Sequence, residues 1–161
     1  MVTFSENLAI GIVIERRLID NAWIKEIWQP IAVLPASSET DIKTLRCDGG
    51  ICQYFMPAPD FTLHRSDVAS YRYNLASERP AIFVALRKDE SQSPIPWQIL
   101  LVTAAPDEAQ KLMDSGDDLI EAVAMPESIR NFISGFVDKF PPDEPFEKRQ
   151  RKNWRNETGK R

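Results

Sequence analysis

Cys47 and Cys52, the lone His64, an acidic strip and a basic C-terminal run are the residues whose types and spacing can do chemistry here. The cysteines flank Asp48, Gly49, Gly50 and Ile51. A two-residue Gly49-Gly50 turn accepts the positive φ that tight hairpins require, and it sets Asp48 opposite Ile51 and Cys47 opposite Cys52. The cysteines then form a cross-strand pair without backbone hydrogen bonds, with Cβ atoms about 5 Å apart against the about 3.8 Å of a disulfide. Two reduced thiols are expected, close enough to act as a redox pair under an oxidant.

His64 would have to serve any Ser–His or Cys–His catalysis. It sits in an alternating run with Thr62 on its own side, which reads as a surface or half-buried strand histidine. One histidine and two cysteines also fall short of a four-ligand zinc site. Asp107, Glu108, Asp114, Asp117, Asp118 and Glu121 are carboxylates of the kind that bind metals or move protons. Asp107 and Glu108 are explained by a helix start, and the others read as a solvated turn. No catalytic, cofactor-binding or metal-ligating set is expected. In the tail, Lys148, Arg149, Arg151, Lys152 and Arg155 surround Trp154. Basic side chains interleaved with an aromatic suit an acidic protein, a nucleic acid or an anionic membrane, so these six are the partner-binding candidates.

The elements that must position these residues follow from periodicity and punctuation. Pro80 to Gly116 organises the chain: apolar runs Ala81 to Leu86 and Ile99 to Val102 read as two buried strands. A helix follows, with Pro106 at its first position, Asp107 and Glu108 at its positive end and Gly116 as a left-handed stop. Leu8, Ile10, Ile12 and Ile14 alternate along a strand from Leu8 to Arg17. Trp28 to Leu34 is a second strand, in which Pro30 implies an edge or a bulge. Ile42 to Cys47 and Ile51 to Met56 form the hairpin, and Phe61 to Arg65 is another strand. Tyr71, Tyr73 and Leu75 alternate, which reads as a strand over Tyr71 to Leu75; a helix over 67–76 capped by Asp67 is the alternative. Leu119 to Val123 is a short strand. Pro126 to Phe140 is a helix with an apolar stripe of Ile129, Phe132, Ile133, Phe136, Val137 and Phe140, closed by Pro141-Pro142.

Strands precede helices, which implies an α+β fold: a mostly antiparallel sheet or small barrel of seven to eight strands, packed by two C-terminal helices. Residues 1–145 read as one globular domain and 146–161 as a basic, disordered tail. The net charge is −4, of which Phe146–Arg161 contributes +5 and the rest −9. The acidic body disfavours nucleic acid. The longest apolar run, Leu8 to Ile14, is far below the about 20 residues of a membrane span, and no signal peptide is read, which implies a cytoplasmic protein.

The strings IGIVIERR, WQPIAVLP, LHRSDVASYRYNL, ERPAIFVALR, LVTAAPDEAQKLMDSGDDLIEAVAMPESI and EPFEKRQR, in that order, resemble a bacterial family, Domain of Unknown Function 3305, from residue 9 to residue 151. The resemblance implies genes among those for molybdenum-dependent formate dehydrogenases and their maturation. Some relatives carry the label molybdopterin-guanine dinucleotide biosynthesis protein A. A guanylyltransferase of that kind needs a strand, a Gly-rich loop and a lysine at the phosphates. Gly49-Gly50 is a hairpin turn with no lysine just downstream, so the label does not fit these residues. The resemblance therefore implies a non-catalytic accessory protein, with no cofactor of its own, for a formate dehydrogenase subunit or maturation factor. The alternatives are an enzyme or small-ligand binder with a pocket in a β-barrel, and a nucleic-acid-binding adaptor acting through the tail.

Overall fold

Alternating isoleucines build the longest buried strand, but the chain breaks before it starts. The computed structural model describes residues 5–35, 40–58, 60–91 and 95–141. The expected strand Leu8 to Arg17 divides at Ala9 into β1 (Ser5–Leu8) and β2 (Ile10–Leu18), which belong to different sheets. There follow β3 (Glu26–Pro35), β4 (Lys43–Asp48), β5 (Ile51–Pro57) and β6 (Phe61–His64). A 3-10 turn over Arg65–Asp67 leads into α1 (Val68–Ala76). The chain continues through β7 (Ala81–Lys88), β8 (Trp97–Thr103), α2 (Pro106–Ser115), β9 (Leu119–Ala124) and α3 (Glu127–Val137).

The fold is α+β, and every strand pair is antiparallel. Among the described residues, nine strands form three open sheets in the orders β1-β6, β3-β2-β5-β4 and β8-β7-β9. They close no barrel, and the premise of a pocket inside one falls with it. The two larger sheets approach each other where β3 meets β9. Pro30 lies on an edge strand, and the β2–β3 register also shifts beside it, between Val13 and Ile14. Both of the positions expected for Pro30, an edge and a bulge, are therefore realised at once.

One core joins these layers. Ile12, Ile14, Leu63, Ile82, Val84, Leu86, Ile129 and Ile133 are each 0% exposed. Burying a side chain of this size stabilises by about 1.5–3 kcal/mol. The stripe on α3 is core as expected, although Phe136 is buried and Phe132 only partly so. Helix α2 begins at Pro106 and stops at Gly116 with φ 73, as its punctuation requires.

The strand expected over Tyr71 to Leu75 is instead part of α1, which adds a helix to the two expected. Its buried positions are Val68, Tyr71 and Asn74, spaced at three residues, and Tyr73 is 75% exposed. Asp67 stands at the N-cap but makes no side-chain cap bond. What fixes the helix is tertiary. Asn74 Nδ2 donates to the carbonyls of Ala81 (2.7 Å) and Ala104 (2.8 Å), and Asn74 Oδ1 accepts from the Ala81 N–H (3.0 Å). Arg72 Nη2 donates to the carbonyls of Phe140 (2.9 Å) and Pro141 (3.1 Å), just beyond the end of α3. Lys139 pairs with Glu6 and ties that same end to β1.

Candidate functional site

The Asp48-Gly49-Gly50-Ile51 hairpin forms in the expected register, with φ 55 at Gly49 and 81 at Gly50. Cys47 stands opposite Cys52 at a Cα separation of 4.1 Å. The expectation of reduced thiols is corrected: the two sulfurs are joined in a disulfide. Facing Cβ atoms on a closely spaced, non-hydrogen-bonded pair come near enough to bridge. The two cysteines are not equivalent. Cys52 is 7% exposed and belongs to the core cluster, whereas Cys47 lies on the exposed edge strand β4.

Register carries the row across the whole sheet: Trp28 on β3, Arg16 on β2, Cys52 on β5 and Cys47 on β4 are successive cross-strand neighbours. Arg16 shares the inward face with Ile14 and Ile12, two and four residues away. Its Nη2 donates to Cys52 Sγ at 3.3 Å, and its guanidinium carbon lies 5.9 Å from the Trp28 ring centroid. Tyr54 stacks on Trp28 at 5.8 Å, and Trp28 Nε1 donates to Glu26 at 3.1 Å, so the ring under the cation is fixed on two sides. Among the described residues no carboxylate pairs with Arg16, and its Nε is buried without a hydrogen-bond partner. The nearest carboxylate in sequence, Glu15, is on the opposite face. It is bonded to Gln53 at 3.1 Å and Arg17 at 3.0 Å, and chiefly the Gln53 bond holds its carboxyl below the ordinary value. A half-buried cation thus faces a disulfide sulfur, held by an aromatic plane.

The same end of the sheet is apolar and open. The Leu18 N–H donates to the Gly50 carbonyl at 2.9 Å, which places the β2–β3 tip beside the β4–β5 turn. Around that tip Trp23 is 92% exposed, Leu18 and Ile24 each 53%, and Ile27 46%. Trp23 and Ile24 fall in the connection between β2 and β3, and Leu18 and Ile27 on the strands that flank it. The signal that could have singled them out is two large apolar side chains, Trp23 and Ile24, in a polar connection.

The remaining candidates are dispersed. His64 is exposed at the end of β6, and its backbone N–H donates to Tyr71 Oη at 3.0 Å. The acidic strip does not converge. Glu108 accepts from Thr103 Oγ1 at 2.8 Å, Asp114 from Gln110 at 3.0 Å, and Asp118 from Arg87 at 3.0 and 3.3 Å. Among the described residues no group of His, Cys, Asp or Glu side chains is placed to hold a metal ion. No helix there is long and apolar enough to cross a membrane. Lys148, Arg149, Arg151, Lys152, Trp154 and Arg155 lie outside the described residues, as does the expected boundary at 145–146.

No curated protein and no solved structure matches the chain. A family profile does, over residues 9–150, and so takes in both hairpins of the four-stranded sheet together with every later strand and helix. A match of that extent decides membership: the chain belongs to the family described as Protein of unknown function (DUF3305).

Proposed function

We propose that the protein is a non-catalytic accessory protein of the cytoplasm. It binds a subunit of a molybdenum-dependent formate dehydrogenase, or a factor that matures the molybdenum cofactor, and it docks through the hairpin end of the four-stranded sheet. The observation that carries this reading is the exposure of Trp23, Leu18, Ile24 and Ile27 on one tip. Exposed tryptophan among aliphatic side chains is the composition of a binding anchor, because such groups gain most when a partner desolvates them. The partner class comes from the gene neighbourhood that the family resemblance implies. The net +5 of Phe146–Arg161 supplies a second, electrostatic element that speeds encounter with an acidic partner.

The test is affinity capture of the tagged full-length protein from its native cell, with the captured subunits identified by mass spectrometry. Wild type is expected to retain formate dehydrogenase subunits or a maturation factor, and Trp23→Ser/Ile24→Ser to lose them while melting at an unchanged temperature. Equal capture by both proteins, or capture of neither class by wild type, would contradict the reading.

A further inference from the structure

We propose that Cys47–Cys52 is a thiol–disulfide exchange site that accepts two electrons from an external dithiol, with Cys47 as the sulfur attacked, Cys52 as the leaving sulfur and Arg16 as the group that stabilises the departing thiolate. Three observations converge on this. The disulfide joins an exposed residue, Cys47, to a buried one, Cys52. The Cys52 sulfur receives a guanidinium N–H at 3.3 Å. That guanidinium has no carboxylate partner among the described residues and is held against Trp28 instead.

A neutral disulfide sulfur is a weak acceptor, so the contact gains little while the bond is intact. It gains much more once Cys52 carries negative charge, because a bond to an ion in a half-buried site is far stronger than one to a neutral atom. The contact therefore favours the transition state and the reduced form over the oxidised one. A purely structural bridge has little to do here. It closes a short loop in a hairpin whose turn is already set by Gly49-Gly50, and stabilisation by cross-linking diminishes as the closed loop shortens.

The step balances as follows. A thiolate of the dithiol attacks Cys47 Sγ from solvent. The Cys47–Cys52 bond breaks and its electron pair leaves on Cys52 Sγ, opposite Arg16. Cys47 is then in a mixed disulfide with the reductant. The second thiol of the reductant loses its proton to water and attacks its own sulfur in that bond, which expels the Cys47 thiolate. The two cysteine thiolates take up protons from water according to their acidity, so that the reductant ends as a disulfide and the protein reduced, after transfer of two electrons.

Purified full-length protein is equilibrated with mild oxidant and weighed by mass spectrometry, where loss of two hydrogens is expected and free thiols would overturn the proposal. Reduction by dithiothreitol is then timed for wild type, Arg16→Lys and Arg16→Gln. Leaving-group ability rises as thiol pKa falls, so Arg16→Gln is expected to react roughly tenfold more slowly and Arg16→Lys to recover most of the rate. Rates for Arg16→Gln within about twofold of wild type would overturn it. Two measurements on wild type stand even if the Arg16 variants fail to fold. Limiting glutathione followed by acid quench and peptide mapping is expected to find the adduct on Cys47, and an adduct mainly on Cys52 would overturn the assignment. Ultraviolet titration of the reduced protein is expected to show one thiolate forming below the about 8.5 of a free cysteine, and two thiols ionising at or above that value would overturn it.

Discussion

Asn74 holds two carbonyls and one N–H with a single side-chain amide, and it is 4% exposed. Asn74→Ala would leave three backbone groups without their partner. We expect a loss of about 2–4 kcal/mol, read as a lower urea midpoint at unchanged slope. Asn74→Asp is expected to be at least as damaging at neutral pH, since a carboxylate would face two carbonyl oxygens. Tyr71, one turn earlier, couples the fold to alkaline pH. Burial pushes its phenol up to about 12, while the hydrogen bond from the His64 N–H acts in the opposite direction. An unfolded tyrosine titrates near about 10, so the folded state favours the neutral phenol. That contribution is complete below about pH 10 and is lost as pH rises toward about 12. Denaturant melts across this range should show wild type losing its advantage over Tyr71→Phe as pH rises. A difference between the two proteins that is flat with pH would contradict the assignment.

At the scale of elements, α3 and β2 carry the sharpest expectations. Phe136 is 1% exposed and packs edge-on against Tyr71 and Phe140, so Phe136→Ala should cost about 3–5 kcal/mol. Phe132 is only partly buried, and Phe132→Ala should cost about half as much in the same denaturant melts. Gly11 is required by close approach, because a Cβ there would stand 1.9 Å from Phe55 Cε2. Gly11→Ala should therefore destabilise by about 1–3 kcal/mol or more, and Gly11→Ala/Phe55→Leu should cost less than the sum of the two single changes. Additive losses would show that the ring moves aside freely. The elements legible in the sequence were those with their own punctuation. Pro106 and Gly116 bracket α2, Gly49-Gly50 sets the β4–β5 register, and Pro30 marks the β3 edge. Helix α1 is legible only as the alternative over 67–76, because one of its inward positions is polar: Asn74 takes the place where an apolar residue would reveal the period, and Tyr71, Tyr73 and Leu75 imitate alternation. Its stability comes from bonds to Ala81 and Ala104, which no local pattern announces. The cysteine pairing was legible from the turn. The arginine beside it was not, since Arg16 and Cys52 are 36 residues apart and meet only through the β2–β5 register.

At the scale of the whole molecule, the described residues form three open antiparallel sheets and three helices around one core, and among them nothing covers one end of the four-stranded sheet. That end collects the exposed apolar tip and, beside it, the disulfide row, while the basic residues of 146–161 follow the last helix in sequence. An acidic body with an exposed apolar tip and a basic extension suits a protein that acts by binding another protein, as proposed above. Binding to purified molybdenum-dependent formate dehydrogenase, or to its purified maturation factors, is the most direct measurement of this claim. Calorimetric titrations would compare wild type, Trp23→Ser and a truncation after Glu147 at low and high salt. Wild type is expected to bind saturably, Trp23→Ser to lose at least about 2 kcal/mol as for an interface anchor, and the truncation to weaken binding at low salt more than at high salt. Absence of heat with every one of these partners, or equal affinity of wild type and Trp23→Ser, would contradict it.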